Sequence, residues 1–317
     1  GLANFGIWGE IKRERPDAVV VMSWMNPTWW LTFFACQKFQ IPMLLMTDAN
    51  VEAEKLNGLW KAWLKRIFLG NILFHVTSGF LCAGTANQRL YTYYGVPSDK
   101  LVHFAYSWGY STLIEESNAL PDNKTDLRRQ YGLPQDAVVV LYCGRFSPEK
   151  GLMELLEAYK IISHPKKALV LVGDGSLKSQ MQCFAEANGI DSIYFMGFQA
   201  RRDIGKYYAM SDIFVLPSQR ETWGMAVNEA LCFSLPVVVS DQVGAGNDLV
   251  IPGENGHVFP AGDVSALADH MSNLIGLPSQ IRAEMGEKSA KLIADWSGRD
   301  LAMPLVAILD SLYDARH

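Results

Sequence analysis

From residue 137 onward the chain alternates short apolar runs with longer stretches whose apolar positions recur at helical spacing. Residues 138–143 read Val-Val-Val-Leu-Tyr-Cys without a polar interruption. An unbroken run of that length predicts a strand buried on both faces, because a half-buried strand would alternate. A helix is predicted over 152–162, a strand over 168–172 and a helix near 177–187. A strand over 193–196, a short helix over 203–210 and a strand over 213–216 follow. A helix near 224–233 then leads to a strand over 236–240, and helices near 279–294 and 299–313 close the chain. Strands alternating with helices in this way predict a parallel sheet covered on both faces.

The first part of the chain is less regular. A strand is predicted over 17–22, a helix over 27–39, strands over 42–46 and 80–83, and a helix over 85–94 that ends at Gly95. Residues 60–69, Trp-Lys-Ala-Trp-Leu-Lys-Arg-Ile-Phe-Leu, read as an aromatic and basic helix. Its aromatic face predicts either packing on the protein's own core or weak contact with an anionic membrane. Residues 115–126 are polar, contain Pro121 and read as a linker. The division expected is a partial first domain over 1–118, a linking segment over 119–136, a second domain over 137–298, and a last helix over 299–317 that packs back on the first domain.

A length of 317 residues suits two domains, and 49% hydrophobic against 19% charged residues is enough to build their cores. A net charge of -5 gives no general attraction to nucleic acid, so none is expected as a partner. The five cysteines form no C-x-x-C pair and read as small buried hydrophobes of a reducing compartment. No apolar run approaches the ~18 residues of a membrane span, and no basic-then-apolar leader opens the sequence. A cytoplasmic protein is the expectation, with peripheral contact on the inner face of the cell membrane as its one membrane option.

In doubly wound sheets ligands bind outside the carboxyl ends of strands, so the turns that follow strands carry the chemistry. The first is Gly144-Arg145-Phe146-Ser147-Pro148-Glu149-Lys150-Gly151. Gly144 permits a tight turn, and Arg145 and Lys150 present fixed positive charge where a helix opens; this is a diphosphate clamp or a solvated surface turn. The second, Gly173-Asp174-Gly175-Ser176, fails the dinucleotide fingerprint because Lys178 occupies the third glycine position. The third runs from Pro217 to Ala230 and carries Glu221 in a loop and Glu229 in the second turn of the helix that follows. Between them the backbone N–H groups of Trp223, Gly224 and Met225 open a helix and favour a phosphate. A carboxylate beside an anion site repels phosphate, and binding sugar hydroxyls is a reason to keep it there. The fourth, Val243-Gly244-Ala245-Gly246-Asn247-Asp248, lets backbone approach a ligand closely.

These turns, in this order, resemble the retaining glycosyltransferases of the large family-four group, also called glycosyl transferases group 1, over roughly residues 138–275. The resemblance implies an α/β protein of the GT-B type: two Rossmann-like doubly wound parallel-sheet domains facing a cleft, the first of them incomplete. It implies that Gly144, Arg145, Lys150, Trp223, Gly224 and Met225 hold the donor diphosphate, that Glu229 binds the ribose hydroxyls, and that Glu221 is the catalytic carboxylate at the transferred sugar. It implies no cofactor beyond the nucleotide sugar as co-substrate, no metal, and a glycan, lipid-linked or small-molecule acceptor. Residues 91–96 also resemble a family segment. Departures are Met22 where members often carry histidine, Ser107-Trp108-Gly109 where many carry aspartate, and Asp248 where the glycine loop usually ends in glutamate.

The expected reaction is sugar transfer with retention of configuration, the cations stabilising the leaving diphosphate. A GT-B sugar epimerase, a phosphorylase and a non-catalytic nucleotide-sugar-binding subunit are the other readings. Few strands precede residue 115, and Gly1 stands where a starting Met would. The chain is therefore expected to lack the opening of its acceptor domain, to bind nucleotide, and to transfer sugar poorly.

Overall fold

A computed structural model describes residues 4–50, 67, 69–104, 110–119, 124–297 and 303–316. The chain forms two compact units, Gly1–Tyr106 with Gly298–His317, and Ser107–Ser297.

The first unit holds β1 (Val19–Val21), β2 (Met43–Thr47), β3 (Gly79–Cys82) and β4 (Leu101–His103), all parallel and in sequential order. Between and before them lie α1 (Ile7–Glu14), α2 (Pro27–Phe39) and α3 (Thr85–Tyr93). α2 starts where the sequence dictates: the Asn26 side chain accepts the Trp29 N–H at 3.3 Å and Pro27 presets the first helical φ. It stops at Gln40, which takes the left-handed conformation with φ 55°. Crossovers that all advance in one direction, each right-handed, put their helices on one face of the sheet. On that face Met43, Leu45, Phe80 and Cys82 pack with Phe33, Phe74, Tyr91 and Tyr94.

The second unit opens with α4 (Tyr110–Ala119) and α5 (Lys124–Gln130). Its six parallel strands are β5 (Val138–Cys143), β6 (Lys167–Val172), β7 (Ile193–Gly197), β8 (Ile213–Leu216), β9 (Val237–Ser240) and β10 (Gly256–Phe259), in the order β10-β9-β8-β5-β6-β7. Helices α6 (Leu152–Ile161), α7 (Lys178–Ala187), α8 (Gly205–Ala209), α9 (Met225–Cys232), α10 (Gly246–Leu249), α11 (Val264–Gly276) and α12 (Ser279–Ser297) connect or follow them. α6 packs with α7 and α11, and α9 with α12 and α4. The side chains of β5, β8 and β9 are buried throughout, as continuous apolar runs require.

After the second unit the chain returns to the first as α13 (Met303–Asp314). Leu305, Ile308, Leu309 and Leu312 of α13 cover Leu44, Met46, Leu81 and Val102, which point to the sheet face opposite the crossover helices. A Cβ built on Gly79 would lie 2.4 Å from Ile308 Cδ1, so α13 sits against bare backbone there.

Residues 115–126, read from composition as a linker, contain the end of α4 and the start of α5. Polarity misleads because cations of α5 bind the second unit's backbone. Arg128 is buried and donates to the carbonyls of Met210, Gln135 and Ala137 and to Asp212, while Lys124 reaches the Ser211 carbonyl at 2.6 Å. Burial lowers the Lys124 pKa, Asp212 opposes that shift, and Arg128 and Arg282 add to it. α1, β4, α10 and β10 have no counterpart in the sequence-based elements: α1 buries one side chain, Ile11, and β4 spans three residues. Cys36, Cys82, Cys143 and Cys232 are buried, whereas Cys183 is exposed on α7. The helix expected over 60–69 lies outside the described residues, apart from Ile67 and from Leu69, which opens a π-helical turn, Leu69–Leu73. Residues 107–109 also lie outside them. No helix among the described residues is long and apolar enough to cross a membrane.

Candidate functional site

The order of the second sheet reverses once. From β5 the chain advances through β6 to β7, then returns to β8 on the other side of β5 and continues outward to β10. In sheets with such a reversal, ligands bind outside the carboxyl ends of the strands that flank it, here the loops after β5 and β8. Here the loops are tied by backbone. The N–H groups of Gln219 and Arg220 both donate to the Glu149 carbonyl, at 2.9 and 3.3 Å. Gly151 has φ 66°, and a Cβ on it would lie 2.1 Å from the Pro217 carbonyl oxygen, so only glycine allows the approach.

That apposition brings two of the expected site residues together. Lys150 Nζ donates to Glu221 Oε2 at 2.5 Å, with only 19% and 17% of the two side chains exposed. Arg145 is exposed, and no hydrogen bond or ion pair holds its guanidinium among the described residues, though its charge is felt at Glu149; its carbonyl accepts the Tyr142 hydroxyl at 2.9 Å, which fixes the turn at Gly144. Glu149 turns away to accept the Ser147 hydroxyl at 2.7 Å, and that bond holds its carboxyl below the ordinary value.

The loop after β8 is fastened on its other flank to the glycine loop. Glu221 bridges Val243, Gly244 N–H donates to the Glu221 carbonyl at 3.2 Å, and Ala245 N–H to the Trp223 carbonyl at 2.7 Å. Trp223 is buried: its indole N–H donates to Asn228 Oδ1 at 2.9 Å and its ring stacks on Trp296 at 5.9 Å. Its side chain thus faces the protein, and its backbone is what it can offer a ligand. Gly224 immediately precedes α9, whose first residue is Met225. Two fully buried polar atoms beside this loop, Ser218 Oγ and Asn228 Nδ2, lack hydrogen-bond partners, a situation that a bound ligand or water relieves.

Glu229 is not drawn to the Lys150 pair. It is buried in α9, where its carboxylate accepts from the Arg201 guanidinium and from the Tyr208 hydroxyl, the latter at 2.7 Å. Burial raises its pKa; Tyr208 and Arg201 pull in the opposite direction. Neither partner emerged from the sequence. Arg201 lies four residues beyond β7, in the same class of strand-end turn as the residues that were singled out, so a signal for it existed. Tyr208 sits in an apolar helix and gave none. Met22 follows β1 and is exposed, and Asp248 lies in α10. Among the described residues no group of three or more His, Cys, Asp or Glu side chains is placed to hold a metal ion.

Residues 123–292 match the family described as Glycosyl transferases group 1. Alpha-D-kanosaminyltransferase of Streptomyces kanamyceticus is 30% identical over 174 residues, 54% of this chain and 44% of that protein. The capsular polysaccharide biosynthesis glycosyltransferase CapM of Staphylococcus aureus is 28% identical over 263 residues, 80% of this chain and 66% of its own length. The chain spans about half the length of the curated relatives it matches. Among solved structures, Anabaena Alr3699/HepE in complex with UDP superposes with a TM-score of 0.80 at 19% identity, covering 97% of this chain and 82% of that one. The α/β architecture with two parallel sheets is that of the GT-B glycosyltransferases.

Proposed function

This chain belongs to the glycosyl transferases group 1 family, and from that premise we propose that it moves a sugar from a nucleotide-sugar donor to a glycan, lipid-linked or small-molecule acceptor, with retention of configuration and without a metal ion. The observation that carries the reading is the contact at the sheet reversal, where Lys150, from the loop that also carries Arg145, meets Glu221 from the loop after β8. Breaking a sugar–phosphate bond leaves negative charge on the diphosphate and positive charge on the sugar ring. Arg145, Lys150 and the N-terminus of α9 are suited to stabilise the first, doing the work a cation would do; one well-placed donor of this kind contributes roughly 3–4 kcal/mol. Glu221 is suited to the second, or to orienting the sugar through its hydroxyls. Glu229, buried and held by two donors, fits the ribose end. Retention and the absence of a metal follow from the family resemblance. A relative named for GDP-mannose and a neighbour solved with UDP support a nucleotide-linked donor without fixing its base.

A thermal-shift panel of UDP, GDP, ADP and TDP sugars tests the reading, since a ligand that binds only the folded state raises its stability. One donor class should stabilise the protein. Glu229→Gln should weaken binding of that donor, whereas Glu221→Gln should lower turnover and leave donor binding nearly intact. No stabilisation by any of the four, or two variants that both behave as wild type, would overturn the assignment.

A further inference from the structure

The two cations of the clamp are not equivalent. The Arg145 guanidinium makes no hydrogen bond or ion pair among the described residues, whereas Lys150 is already engaged, 2.5 Å from Glu221 in a contact less than one-fifth exposed on either side. The pair does not arise from two long side chains meeting by chance. Its two backbones are clamped together by the paired bonds to the Glu149 carbonyl and by the contact of Gly151 with the Pro217 carbonyl. Lys150 and Glu221 therefore face each other before any ligand arrives.

On the reading proposed above, the same lysine serves the diphosphate and the same glutamate serves the sugar. We propose that the Lys150–Glu221 pair makes the site bind nucleotide sugar in preference to the nucleoside diphosphate that remains after transfer. Phosphate that draws Lys150 away leaves Glu221 without its counter-ion and beside new negative charge. A carboxylate so placed, largely out of water, is costly unless other donors replace the ammonium. A bound sugar brings hydroxyls that donate to it in charge-assisted bonds. A bare nucleoside diphosphate brings none, and its terminal phosphate carries more negative charge than a phosphodiester does. Glu221 thus penalises the product and spares the donor, and product leaves the site more readily.

The proposal concerns the sign of a coupling, which separates it from a purely structural role. If the pair is only a staple between two loops, neutralising Glu221 loosens the crevice and weakens every ligand. If the pair discriminates, neutralising Glu221 frees Lys150 and tightens the product. The experiment is calorimetric titration of UDP, GDP, ADP and TDP into wild type, Glu221→Gln, Lys150→Ala and the double variant, with denaturation midpoints recorded for each. For the diphosphate that wild type binds, Glu221→Gln should tighten binding by about three- to tenfold, the scale of a close, partly exposed ion pair. Lys150→Ala should weaken binding more in the Glu221→Gln background than in wild type. Should Glu221→Gln fold poorly, Glu221→Ser must show the same tightening. Unchanged or weaker diphosphate binding in a folded neutral variant overturns the inference and leaves the donor-site reading standing. Failure of all four diphosphates to bind both wild type and folded Glu221→Gln overturns both.

Discussion

Two parallel sheets built from the same ladder chemistry differ in where they can hold a ligand and in how they are covered. The first advances β1 to β4 without turning back; the second reverses between β5 and β8. Reversal makes two loops diverge over a crevice, and it distributes crossover helices to both faces, so the second unit covers its own sheet. Among its described residues the first unit shows no reversal. Its helices gather on one side, and its other face is covered by α13, which arrives from beyond the second unit. Topology thus sets which loops face each other, and on the reading proposed above residue types such as Arg145 and Glu221 then supply the chemistry.

The largest effect is expected at Gly151. Gly151→Val places a Cβ on the Pro217 carbonyl and forces a branched residue to a positive φ. A loss of about 3 kcal/mol or more in urea denaturation is expected, with nucleoside diphosphate binding abolished in the folded fraction. Wild-type binding by this variant would show that apposition of the two loops does not define the site. Next in size is Arg145→Ala, the removal of the unengaged cation. Titration should show nucleoside diphosphate affinity reduced about 10- to 100-fold, the value of a charged hydrogen bond, with free nucleoside unaffected. A smaller effect is expected in the other unit. Gly79→Ala pushes on Ile308 of α13, an adaptable side chain, and should remove roughly 1–2 kcal/mol of stability while nucleoside diphosphate affinity stays unchanged. A loss of binding there would mean that the two units are not separable in this way.

The smallest effect concerns pH. Burial raises the Glu229 pKa above its ordinary 4.5, so folding favours its protonated form. That contribution is complete below the ordinary value and fades as pH rises through the raised one. Denaturation midpoints of wild type and Glu229→Gln, compared between about pH 4 and pH 7, should show a decline with rising pH that the variant lacks. Parallel profiles would place Glu229 in a more solvated setting than α9 gives it.

Legibility in the sequence followed the same division. Continuous apolar runs in the second unit identified β5, β6, β8 and β9 to within a residue or so, because burial on both faces leaves an unmistakable pattern. Arg145, Lys150, Glu221 and Glu229 stood out as candidates because they follow those strands. What the sequence did not yield was pairing. Nothing in the spacing joins Lys150 to Glu221 across seventy residues, or Glu229 to Arg201, since both contacts depend on which strands are neighbours. The linking segment over 119–136 hid a related feature: Arg128 looks solvated in one dimension and is buried in three. Short elements such as β4 offered too few positions for any period to show.

The return of α13 has a consequence for how the chain is made. A ribosome releases the four strands of the first unit early, with Leu44, Met46, Leu81 and Val102 on a face whose cover has not yet been translated. All of Ser107–Ser297 must be synthesised before α13 emerges, a delay of roughly 10–40 s at ordinary elongation rates. During that interval the nascent first unit offers a greasy surface to chaperones or to neighbouring nascent chains, while the second unit, which carries the crevice and covers itself, can finish folding first.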